Sequence, residues 1–516
     1  MAWAVAAALV VYTALLWLLG YRARVRQGTE GFFTARRQLS AWTVFIMVTA
    51  LWASSTIVVE IDTGYAVGVS AVWFGISVAV LSVLVSLLLP LFRRLGYSSN
   101  SDLLGQHFGT GVRRLSGLVI GATFPIFAMS NALFAGIFLH TLLHWPLPAS
   151  LALTTAVLVV YIQFAGLVSL AATQGVNLAF MLMAVGLMAW LTLRAPLPAH
   201  PLPARFYHLG GVGTATIWVW FGTNLLNVFS AQAELQAVTA ARDVRRAQRA
   251  VWISSALLVA LVWVASWLGM AVRAKLGPVA GGGLFGLAQL VQRQGASWEI
   301  VLAAVGVWAM ALTWCGPLLF SGAISLGRDL LRSPRSVGWT KAALVVEGLM
   351  MMAYALWRPG EIAWWRVFGL TLRNAGVVGP TVAMLLWGKE LPRRGVVLAM
   401  CGGMAVGLGL NAVTGFSATR FVGGIDPMWA AQATTFFLLA LCRWASLRRW
   451  GLAAAWAGAS LGAMAWAVHP AGNPIPLSLR GVALLLASGG AFAATWLFSR
   501  REPVLLVASE DAWAES

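Results

Sequence analysis

Fifteen apolar stretches, most of them close to 20 residues long, follow one another along the chain with short polar connections between them. About 20 residues of helix cross the hydrocarbon core of a bilayer. Helices and closed barrels alone can do so with every backbone group hydrogen-bonded. The stretches lie near 2–20, 41–66, 68–92, 115–143, 147–165, 174–193, 214–236, 250–272, 298–326, 339–357, 362–387, 395–413, 427–442, 451–469 and 480–499. Charged residues make up 10% of the chain, where a soluble domain carries about 25%. Mean hydropathy is +0.82. The sequence reads as an all-α polytopic membrane protein with its surface in lipid.

The formal net charge of +19 is also a nucleic-acid signal, and the placing of the bases decides against it. With the first loop on the cytoplasmic side, 25 of the 35 Lys and Arg fall on inner segments and nine on the outer side. Arg373 lies inside a span. Such a bias is the positive-inside pattern, and it sets the N-terminus outside and the C-terminus in the cytoplasm. The location expected is the cell membrane, with lipid and no nucleic acid as partner. The first stretch has its bases (Arg22, Arg24, Arg26) after it rather than before, the reverse of a secretory signal, so it is read as an uncleaved helix.

Enzyme signatures are missing: the sequence has no G-K-[ST] loop, no H-E-x-x-H and no C-x-x-C. No catalytic residue is assigned, and an enzyme is not expected. Cys315, Cys401 and Cys442 are far apart in apolar stretches and read as buried inert thiols. Tryptophans at span ends, such as Trp42, Trp145, Trp364 and Trp365, read as interfacial belt.

Two loops break the monotony. In 97–111 a short helix capped by Ser99, Ser101 or Asp102 would carry Leu103, Leu104 and Phe108 on one face. In 281–295 a second would carry Leu284, Phe285, Leu287, Leu290 and Val291. The two lie about 60 and 70 residues from the starts of the second and seventh spans, on opposite sides of the membrane. Two five-helix units with inverted topology give this pattern, and such repeats build transporters with a site at the midplane. The alternative is two unrelated amphipathic loops.

The first helix of each unit carries polar residues at mid-membrane: Ser54, Ser55 and Thr56 in one, and Gly222, Thr223, Asn224 and Asn227 in the other. Broken helices there would free backbone groups for a solute and an ion. Alternatively, the hydroxyls bond back to their own helix and the Asn residues join neighbours. Glu60 and Asp62 lie in the outer half of the second span. Either they are interfacial carboxylates at a helix end, or they form a gate that takes up a proton or a cation. Glu347 and Arg373 are further intramembrane charges that could pair.

Several segments resemble the sodium:solute symporter family. F-F-T-A-R-R-Q-L-S-A-W-T before the second span, S-D-L-L-G-Q-H-F-G-T-G-V-R-R-L after the third, and A-G-L-V-S-L-A-A-T-Q-G-V-N at 165–177 are similar to its motifs in order and spacing. So are Q-A-E-L-Q-A-V-T-A-A-R-D-V-R-R-A-Q-R at 232–249 and L-T-W-C-G-P-L-L-F-S-G-A-I-S-L-G-R-D-L at 312–330. The resemblance implies a LeuT-like 5+5 core at 41–388, with repeats 41–193 and 214–387. It also implies an extra helix and basic loop in 1–40, four helices in 389–500 and a tail in 501–516. The family's ion site maps to the carbonyls of Thr49, Trp52 and Met310 and the hydroxyl of Thr313. Its second hydroxyl falls on Trp314, its T-D on Thr173-Gln174 and its Q-R on Gln236-Ala237. The expected function is ion-coupled symport of a small polar solute by alternating access, contacted by Ser55, Thr56, Asn224, Asn227 and Gln232. Sodium or a proton is the coupling ion. The competing reading is a sensor or accessory subunit on the same fold.

Overall fold

The computed structural model describes residues 1–24, 37–95, 99–163, 167–196, 200–331, 336–448, 450–469 and 475–499. The 501–516 tail and the first five residues of the 32–43 motif lie outside them. Among the described residues the predicted spans fall on helix, the seventh with an interruption; the chain runs through α1 (Ala2–Arg24), α2 (Ala41–Val67), α3 (Val72–Arg94), α4 (Asn100–Phe108), α5 (Thr110–Leu143), α6 (Leu147–Gln163) and α7 (Leu167–Arg194). The chain continues through α8 (Thr214–Leu226), α9 (Gln232–Thr239), α10 (Val244–Leu276), α11 (Gly283–Gln294), α12 (Ser297–Ala323) and α13 (Ser336–Trp357). It ends in α14 (Ile362–Arg373), α15 (Gly379–Trp387), α16 (Arg393–Val413), α17 (Pro427–Ser446), α18 (Trp450–Val468) and α19 (Leu477–Ser499). Among the described residues, ten helical segments are long and apolar enough to cross a membrane. Two π-helical stretches, Ile324–Leu330 and Asn374–Val378, continue α12 and α14.

Several helix starts carry side-chain caps. The Ser40 hydroxyl accepts from Thr43 N (3.1 Å), Ser99 from Asp102 N (3.1 Å) and Asp243 from Arg246 N (2.8 Å). The last of these holds the Asp243 carboxyl below its usual range, because the backbone N–H binds the charged form. Both predicted lid helices form, as α4 and α11. They bury Leu103, Leu104 and Phe108 in one and Leu284, Leu287, Leu290 and Val291 in the other. Phe285 is only half-buried.

The chain packs as two units. The first comprises Met1–Ser98, Phe124–Gly213 and Ala231–Arg366. In it α2 lies along α10, α12 along α7, and α13 along α6. The α2–α10 contact is close enough to need glycine. A Cβ on Gly64 would stand 2.4 Å from the Ser266 carbonyl oxygen, and one on Gly269 would stand 2.2 Å from that of Ile61. The second unit comprises Ser99–Thr123, Thr214–Ser230 and Val367–Ser516. There α17 packs on α16 and α19, α18 packs on α19, and α19 also touches α8.

Candidate functional site

Four elements of the first unit meet around Trp52 and Trp314: α2, the second half of α5, α12 and the first turns of α14. The sequence predicts a break in α2 at Ser54–Thr56, and the structure corrects it: α2 is continuous from Ala41 to Val67. The hydroxyls explain why. Ser54 Oγ donates to the Leu51 carbonyl (3.0 Å) and Thr56 Oγ1 to the Trp52 carbonyl (2.8 Å). Both side chains therefore satisfy themselves on their own helix, the alternative the sequence left open. The break in the seventh span is real. After α8 the chain makes a short 3-10 turn at Asn227–Phe229, then leaves helical geometry at Ser230 and Ala231 before α9 begins. Ser230 Oγ donates to Asn227 Oδ1 (2.8 Å), and the Asn224 amide donates back to the Trp220 carbonyl (3.0 Å).

The residues assigned to an ion all belong to the first unit, but the carbonyl oxygens of Trp52 and Met310 are engaged by side chains. Asn131 of α5 donates its amide to the carbonyls of Ser54 (2.9 Å) and Met310 (3.2 Å), joining α2 to α12. Met310 and Trp52 sit within continuous helices. Each carbonyl thus takes a helical N–H and a side-chain hydrogen, which uses both lone pairs. Thr49 donates its hydroxyl to Ser254 Oγ (2.9 Å). Gln174 reaches the Thr313 carbonyl with its amide (3.4 Å), a donor where the family motif has an acid. The Trp314 indole donates to the Phe127 carbonyl (2.7 Å). Thr313 Oγ1 is the one oxygen of the assigned set left buried without a partner among the described residues. A sodium ion needs several oxygens, so these residues do not fit one as they stand.

Ser55 is buried, and Gln232 donates to the Ser321 carbonyl (2.9 Å) and its hydroxyl (2.9 Å), a tie between α9 and α12. Glu60 is fully buried, with one oxygen accepting from Gly75 N (2.7 Å) and the other from Ser266 Oγ (2.8 Å). It is not an exposed interfacial carboxylate. Asp62 accepts from the Ile362 N–H (3.2 Å) and stands beside Gly283, at the N-terminal ends of α14 and the lid α11. A carboxylate is favoured at such ends, where N–H groups point outward. Glu347 is buried against Gly322, and Arg373 is buried in the second unit. Cys315 is buried as expected, whereas Cys401 is exposed and Cys442 half-buried.

Sequence reasoning passes over three residues of this cluster. Asn131 carries no motif. Arg366, counted above among the outer bases, donates from Nη2 to Ser130 Oγ (2.9 Å) and lies 4.4 Å from the Trp314 ring. Glu234, quoted only inside a motif, is buried, hydrogen-bonded by Ser82 Oγ and flanked by Trp52. The signal that could have found the last two is the rarity of ionisable groups inside a membrane.

Solved structures share this architecture. A Na+-coupled sialic acid symporter in a substrate-bound outward-open state matches with a TM-score of 0.64 at 16% identity, over 84% of this chain and 96% of its own. The fold is LeuT-like. Mhp1, a nucleobase-cation-symport-1 family transporter in a closed conformation with bromovinylhydantoin bound, matches at 0.54 and 13% identity, over 94% and 99%. No family model and no curated protein matches the sequence.

Proposed function

We propose that the chain is a secondary active transporter that moves a small polar solute across the cell membrane by alternating access, coupled to a cation. The LeuT-like fold over most of the chain carries this reading, since both matched structures are cation symporters by description. Residues 41–388 form the transporting core, and 389–500 add helices around it. Ser55, Thr56, Asn224, Asn227 and Gln232 are the proposed solute contacts, two from the first helix of one repeat and three from that of the other. Glu60 with Asp62 are proposed for a proton, whereas Thr49, Trp52, Met310 and Thr313 would have to exchange their present hydrogen-bond partners before they could hold sodium. The N-terminus lies outside and the C-terminus in the cytoplasm.

The engaged carbonyls of Trp52 and Met310 favour a second reading, a sensor or accessory subunit that keeps the fold and transports little. Proteoliposomes decide between them. A panel of radiolabelled polar solutes, with sodium or proton gradients imposed in turn, is expected to show gradient-driven accumulation of at least one. Binding of a solute with no flux under any gradient would favour the sensor.

A further inference from the structure

We infer that Arg366 is the recognition point for a carboxylate-bearing solute, so that the substrate class is a small organic anion. This rests on the transport reading above and adds a substrate class to it. Arg366 lies in α14 and is 5% exposed. Its guanidinium is stacked 4.4 Å from the Trp314 ring centroid and 5.8 Å from that of Phe127, and Nη2 donates to Ser130 Oγ (2.9 Å). Among the described residues Nε is buried without a partner. Among the described residues no carboxylate forms an ion pair with Arg366.

A guanidinium stays protonated, and a buried charge without a counter-charge is costly. Two ring faces and one hydroxyl offset part of that cost, but they leave the positive charge unneutralised. The surroundings also hold the guanidinium in place. Trp314 is pinned by its indole N–H on the Phe127 carbonyl (2.7 Å), and Ser130 stands within hydrogen-bond distance of Asn131 Oδ1 (3.0 Å). Asn131 in turn joins α2 to α12. A fixed, planar, desolvated guanidinium with an unpartnered N–H is the donor set that a carboxylate fits through paired, charge-assisted hydrogen bonds once it displaces the packing over Nε. The same cluster contains Trp52, whose ring centroid lies 5.6 Å from that of Trp314. An anion arriving at Arg366 therefore binds beside the helix that opens the first repeat.

The test uses the full chain purified in detergent and matched probes: acetate and acetamide, lactate and lactamide, glucuronate and glucose, and chloride. Thermal unfolding is followed over a range of probe concentrations for the wild type, Arg366→Gln and Arg366→Lys. At least one carboxylate is expected to raise the unfolding temperature of the wild type while its neutral counterpart does not. Affinity for that carboxylate should fall at least tenfold in Arg366→Gln and less in Arg366→Lys, which keeps the charge and loses the fork. Should Arg366→Gln fail to give a monodisperse protein, Arg366→Lys carries the comparison. Equal stabilisation by the neutral partner, an unchanged carboxylate affinity in the variants, or no response to any carboxylate overturns the inference. A response to chloride alone assigns the site to an inorganic ion and overturns it too. Transport is scored separately: Arg366-dependent carboxylate binding without flux defeats the transport reading and leaves this one standing. Uptake of a neutral solute that survives Arg366→Gln does the reverse.

Discussion

The Glu60 carboxylate shows how a buried acid can be held without a cation. Its two oxygens accept one backbone N–H and one hydroxyl, from Gly75 and Ser266, and the hydroxyl can turn round. A glutamine keeps both contacts: its oxygen accepts from Gly75, and its amide donates to Ser266. Glu60→Gln is therefore expected to lower stability by about 1 kcal/mol or less, because no buried group loses its partner. Glu60→Ala strands the Gly75 N–H and the Ser266 hydroxyl and should cost about 2–4 kcal/mol. Unfolding temperatures of the two variants in one detergent check the order, and equal losses would contradict it. Asn131 offers a second test at this scale. Removing its amide in Asn131→Ala returns a lone pair to the Met310 carbonyl, three residues before Thr313, whose hydroxyl has no partner among the described residues. The wild type is expected to show no sodium-specific rise in unfolding temperature relative to potassium, and Asn131→Ala to show one. Neither Asn131 nor Arg366 was legible as a site residue in the sequence. Their roles come from partners 77 to 236 positions away in the chain, and periodicity reports only near neighbours.

Helices were legible because their causes are local. Twenty apolar residues in a row, or a Ser or Asp before a helix, are written in consecutive positions; both short helices follow from i, i+3, i+4 spacing, and α4 also from the Ser99 cap. Interruption of a helix was legible only in part. Ser54, Ser55 and Thr56 look like a break and are not one, since a hydroxyl can bond to the carbonyl a turn back. Asn227 does mark a break, and its side chain accepts from the Ser230 hydroxyl there. The close approach of α2 and α10 was not legible at all, although Gly64 and Gly269 make it possible. Inside a membrane, small residues at a helix contact let backbones pack against each other, and van der Waals packing then replaces the hydrophobic effect. Gly269→Ala is expected to cost about 1–3 kcal/mol, the range for overpacking a tight contact, and Gly64→Ala a similar amount. In the same assay an alanine at Gly458, which has open space around its Cβ position, should change little. A Gly269→Ala protein as stable as the wild type would show that the two helices separate without loss.

For the whole molecule, the bias of bases to one side predicts an orientation that the helices alone do not. A cysteine at Pro203 should react with an impermeant thiol reagent from outside, and one at Ser446 should not; both positions are exposed. Reversed labelling would turn the molecule over and exchange the sides of the two lids. In that proposed orientation Glu60 is a carboxyl of the outer half, which bears on coupling. The oxygens assigned to sodium already accept hydrogens from Thr56 and Asn131, and a cation site weakens with each neutral ligand it loses. Glu60 has the opposite property. When it takes a proton, its new O–H can donate to Ser266 while Gly75 still donates to the other oxygen, so both protonation states are fully bonded. Uptake is therefore expected to rise as external pH is lowered and to depend only weakly on sodium. Glu60→Gln fixes the protonated hydrogen-bond pattern and should abolish the response to pH while leaving a folded protein. A steep sodium requirement, unchanged by pH and by Glu60→Gln, would instead place coupling at Thr313. Thr313→Ala should then raise the sodium concentration needed for half-maximal uptake, whereas under proton coupling it should leave uptake nearly unchanged.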